Sequence, residues 1–83
     1  MYARGVPLNT LALSALPLGQ PATILTIDRS HPLRKRLLEL GFIPGSPVKL
    51  IRTAPLGDPI ELVVGGTHFA MRRADLEQIW VEP

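Results

Sequence analysis

The stretch Ile60-Glu61-Leu62-Val63-Val64-Gly65-Gly66-Thr67-His68-Phe69-Ala70-Met71-Arg72 decides the fold class. Ile60, Leu62 and Val64 alternate with Glu61 and Val63, which is the period of a half-buried strand. Gly65-Gly66 is a two-residue turn that accepts positive φ, and the chain returns with Phe69 and Met71 on one face. The reading is a β-hairpin.

Working outward, two more runs have the same character. Residues 48–53 (VKLIRT) place Val48 and Leu50 on one face, with Lys49 and Ile51 opposite. Residues 22–27 (ATILTI) are rich in β-branched side chains and end at Asp28. Residues 79–82 (IWVE) close the chain as a last short strand, after at most one helical turn over 74–78. Residues 8–16 read as a short docking segment, either a helical turn or an irregular edge piece. Leu11, Leu13 and Leu16 are its apolar contacts, and the turn residues 17–21 end it.

A single three-turn helix is expected between the first two strands. Ser30 or His31 is its candidate N-cap, with Pro32 in the first turn. Leu33, Leu37 and Leu40 form the apolar stripe, widened by Leu38, while Arg34, Lys35, Arg36 and Glu39 cover the solvated side. Gly41 is expected to take the left-handed cap. The predicted fold is mainly β with one short α-helix, a small SH3-like barrel of about five strands, open or closed, with an OB-like barrel as the alternative. Residues 11–83 form one domain and residues 1–10 an N-terminal extension without an assigned role.

Composition fits this and excludes much else. A chain of 83 residues with 46% hydrophobic and 19% charged side chains is globular. It buries only about 60% of its unfolded surface, so its core is thin. With 9 Pro and 7 Gly, its elements are short, and with 0 Cys there is neither a disulfide framework nor a thiolate metal site. No run reaches the roughly 18 apolar residues of a membrane helix. Segment 6–22 follows Arg4, but Pro7, Asn9, Ser14 and Pro17 interrupt it, which argues against a cleaved signal.

The chain lacks the phosphate-binding, dinucleotide-binding, zinc-protease and serine-hydrolase motifs, so no catalytic role is expected. A net charge of +2 gives no polyphosphate binder, and the cluster Arg29, Arg34, Lys35 and Arg36 has no interleaved aromatics for stacking bases. Nucleic acid is not the expected partner; an acidic protein surface fits the cluster better. His31 and His68 could contribute to a weak metal site if the fold joined them with Asp58 or Glu61. Otherwise His31 helps cap the helix and His68 faces solvent. The loop 54–59, Ala54-Pro55-Leu56-Gly57-Asp58-Pro59, is stiffened by two prolines and carries an apolar side chain with no strand to bury it. Leu56 is either a contact anchor or a plug at one end of the barrel.

These segments carry a resemblance. Residues 33–45, LRKRLLELGFIPG, resemble the LRRRLxELGLxPG helix of the FeoA family, and residues 54–60, APLGDPI, match that family's loop without a change. Phe69-Ala70-Met71-Arg72-Arg73 resembles its xALRR strand end, and residues 13–19 its LSxLxxG opening. Pro32 and Phe42 depart from its usual residues. The resemblance implies an SH3-like fold and a small cytoplasmic partner of FeoB, the ferrous iron transporter with a GTPase domain. It implies no cofactor, no nucleic acid and no direct membrane insertion, and weak self-association is a further expectation. Arg34, Lys35, Arg36, Leu56, Gly57 and Asp58 are the candidate partner-binding residues. The alternative is a divalent-metal-sensing domain related to the C-terminal domain of iron-dependent repressors.

Overall fold

The computed structural model describes residues 9–83. Most of the expected extension, and Leu8 of the docking segment, lie outside the described residues. The elements are β1 (Leu11–Ala12), a 3-10 turn (Leu13–Ala15), β2 (Ala22–Ile27), α1 (Arg34–Leu40), β3 (Pro47–Thr53), β4 (Ile60–Val64), β5 (Thr67–Met71), α2 (Arg73–Leu76) and β6 (Ile79–Glu82). The strands form one antiparallel sheet in the order β1-β6-β2-β3-β4-β5. Among the described residues the sheet has six strands where about five were expected, because the docking segment contributes both an edge strand and a turn. Among the described residues its hydrogen bonding does not close, and β1 and β5 are its edges.

The alternation read from sequence sets which side chains enter the core. Val48 and Leu50 of β3, Ile60, Leu62 and Val64 of β4, and Ile79 and Val81 of β6 are all buried. Strand β2 is irregular. Ile24 and Ile27 are three residues apart, so a regular strand would place them on opposite faces. The register against β6 slips between Ile24 and Thr26, and this bulge returns Ile27 to the core side. Gly65 and Gly66, with φ of 56° and 85°, make the hairpin turn whose twist matches its flanking strands.

Helix α1 has seven residues, two turns rather than three. Its cap is neither Ser30 nor His31: Leu33 stands at the N-cap with no side-chain bond. The residues before it are spent on tight turns, in which Asp28 Oδ1 accepts the Ser30 N–H and the Asp28 carbonyl accepts the His31 N–H. The stripe is correspondingly narrower. Leu37 is 2% exposed, but Leu33 and Leu40 are 42% and 41% exposed. The C-terminus of α1 is a glycine cap. Gly41 has φ of 110°, its N–H donates to Leu38, and the Phe42 N–H donates to Leu37 at 3.0 Å. This pair of bonds folds the chain back after α1 and brings Phe42 into the core, where it is fully buried. Phe42 meets Phe69 with ring centroids 5.0 Å apart at 58°, an arrangement aromatic pairs favour.

Candidate partner surface

The loop 54–59 joins β3 to β4. The Ala54 N–H donates to Pro59 at 2.9 Å, and the Gly57 N–H donates to Ala54 at 2.8 Å. Gly57 has φ of 92°, and the Asp58–Pro59 peptide is cis. These bonds and two prolines leave the backbone little freedom. Leu56, at the tip, is 97% exposed, so it does not plug the barrel.

Asp58 has a structural task that sequence reading missed. Its Oδ1 accepts the Arg73 N–H at 2.7 Å, across 15 residues. That N–H belongs to the first turn of α2, whose own N-cap, Arg72, makes no side-chain bond. The carboxylate therefore caps α2 from another loop, and its charge suits the helix N-terminus. Arg73 is also tied elsewhere, its Nη1 donating to the Ser14 carbonyl at 3.3 Å.

On α1, Arg34, Lys35 and Arg36 are all exposed. Among the described residues the ion pair found is Arg52 Nε with Glu61 Oε2 at 3.0 Å, so the three cations of α1 are not neutralised within the fold. Exposed Leu33, Leu40 and Ile43 flank them. The surface of α1 is thus mixed, with apolar contact area between unneutralised cations. Nothing in the hydrogen bonding joins these cations to the loop 54–59.

The histidines have different surroundings. His31 is 4% exposed. Its Nδ1 accepts the Leu33 N–H at 3.0 Å and its Nε2–H donates to the Asp75 carbonyl at 2.8 Å. Both ring nitrogens are engaged, and the neutral tautomer is fixed by its partners. The imidazole thus helps order the start of α1, through Leu33. His68 is exposed on β5. Among the described residues no three His, Asp or Glu side chains gather where an ion could be held. No helix there is long and apolar enough to cross a membrane.

The FeoA domain profile matches residues 11–83. The chain belongs to the FeoA family. It is 35% identical over 72 residues to the Fe(2+) transport protein A/Fe(2+) transporter FeoB fusion protein of Porphyromonas gingivalis, a match covering 87% of this chain and 8% of that one. Against the FeoA protein of Chlorobium tepidum, identity is 39% and the TM-score 0.79, with 87% of this chain and 69% of that one covered. Against FeoA of Stenotrophomonas maltophilia, a prokaryotic SH3 domain protein solved with zinc, identity is 32% and the TM-score 0.76, with 87% and 89% covered. The SH3-like expectation holds.

Proposed function

We propose that this FeoA chain is a non-enzymatic, cytoplasmic accessory protein that binds a FeoB-type transporter at its cytosolic GTPase region. The observation that carries the reading is Leu56, an apolar side chain held in water by a loop with little freedom to withdraw it. Leaving a leucine in water forgoes about 1.5–3 kcal/mol of burial, which a partner pocket recovers. A preorganised anchor also loses little entropy on docking. Arg34, Lys35 and Arg36 supply the charged part of the surface, with Gly57 and Asp58 shaping the loop. The Porphyromonas gingivalis relative supports the choice of partner, because there FeoA and FeoB sequences share one chain.

The immobilised chain should capture the FeoB-type transporter from a membrane extract, identified by mass spectrometry. An extract from which the transporter is recovered no better than on a blank support would contradict the reading. Arg36→Glu should weaken capture more at low salt than at high salt, since exposed charges act mainly through a screened field.

A further inference from the structure

We infer that the outer edge of β5 is a self-association surface, on which a second copy of this chain adds its own β5 antiparallel. The edge is open among the described residues: β5 pairs with β4 on one side and no strand lies on the other. The two-residue turn fixes which backbone groups face outward. Val64 and Thr67 flank the turn, so they are a hydrogen-bonded pair, and bonding to β4 recurs at Phe69 and Met71. The N–H and C=O groups of His68 and Ala70 therefore point away from the sheet.

Proteins usually blunt such an edge with a charge, a proline or a bulge. Strand β5 has none of these: Thr67-His68-Phe69-Ala70-Met71 contains no Lys, Arg, Asp, Glu or Pro, and its register with β4 is unbroken. The other edge strand, β1, has only two residues.

The occupant follows from the register. Two β5 strands related by a two-fold axis at Phe69 place His68 opposite Ala70 of the other copy, and Thr67 opposite Met71. His68 and Ala70 then exchange both N–H and C=O bonds with their counterparts, giving four bonds in total. Phe69 faces Phe69 as a non-bonded pair, the closer kind, where aromatic pairs contribute most. Arg72 falls opposite Gly66 and Arg73 opposite Gly65, so no like charges meet. The strand is complementary to itself. A seam of five residues is small, so the dimer is weak.

Sedimentation of the full chain over a concentration series tests this. The wild type should pass from monomer to dimer at high concentration. Ala70→Pro removes an outward N–H and no ladder N–H, and Ala70→Lys adds a charge at the seam. Each should weaken association at least tenfold, with an unchanged circular dichroism spectrum. In the wild type, amide exchange at His68 and Ala70 should slow as concentration rises, a readout that needs no variant to fold. A wild type that stays monomeric throughout overturns the inference. So does a dimer that both folded variants retain, or exchange at His68 and Ala70 that ignores concentration.

Discussion

The Nε2–H of His31 donates to the main-chain carbonyl of Asp75 at 2.8 Å, so one imidazole joins the start of α1 to α2 across 44 positions in sequence. Its other nitrogen accepts the Leu33 N–H. Removing the ring strands both groups in a site shielded from water. His31→Ala should therefore destabilise the fold by about 1–3 kcal/mol or more. His68→Ala, on an exposed position, should change stability by less than about 0.5 kcal/mol. Urea denaturation of both variants checks this, and equal losses would mean that the buried bonds contribute nothing.

Leu37 is the one residue of α1 fully within the core, and it also accepts the Phe42 N–H that ends the helix. Leu37→Ala should cost about 2–5 kcal/mol, the range for truncating a buried leucine. Arg34→Ala should stay within about 0.5 kcal/mol. Leu33→Ala and Leu40→Ala should fall between them, because each side chain is already partly in water. Chemical denaturation midpoints rank the four variants directly.

Asp28 contributes to the acid response. The Ser30 N–H and then the Ser30 hydroxyl, both bonded to its Oδ1, hold its carboxyl below the usual aspartate value of 3.8. A carboxyl whose folded pKa is depressed stabilises the fold above its unfolded pKa, and that stabilisation disappears as pH falls through the folded value. Stability should therefore drop as pH is lowered below about 4. Asp28→Asn should flatten part of that slope in melting scans from pH 6 to pH 2. An unchanged slope would show that the turn at Ser30 forms without the charge.

Much of this fold is legible in sequence because strand alternation and glycine turns are local. Val48 and Leu50, Ile60 through Val64, and the Gly65-Gly66 turn each read correctly from neighbours alone. The misreadings arise where distant contacts decide. The bulge in β2 exists because β6 fixes the register beside it, and nothing near Leu25 announces it. Leu33 and Leu40 share the helical period of Leu37 yet stay exposed, because the period shows which side chains share a face and not how much of that face distant elements cover. At the candidate site, the stiffness of the loop 54–59 was readable from its prolines, and so was the solvated side of α1. The bond from Asp58 to Arg73 was not, since two exposed polar residues 15 apart give no pattern that singles them out.

Leu56 tests the account's central claim most directly. Its side chain is 97% exposed, so Leu56→Ala should alter stability by less than about 0.5 kcal/mol and leave the circular dichroism spectrum unchanged. Truncating an anchor that fills a partner pocket costs about 2 kcal/mol or more, which is roughly a 30-fold loss of affinity. The measurement is a calorimetric titration of wild type and Leu56→Ala into the cytosolic GTPase region of the FeoB-type transporter. The account predicts binding by the wild type and at least that loss in the variant. Equal affinity for the two proteins, or no binding by the wild type, would contradict it.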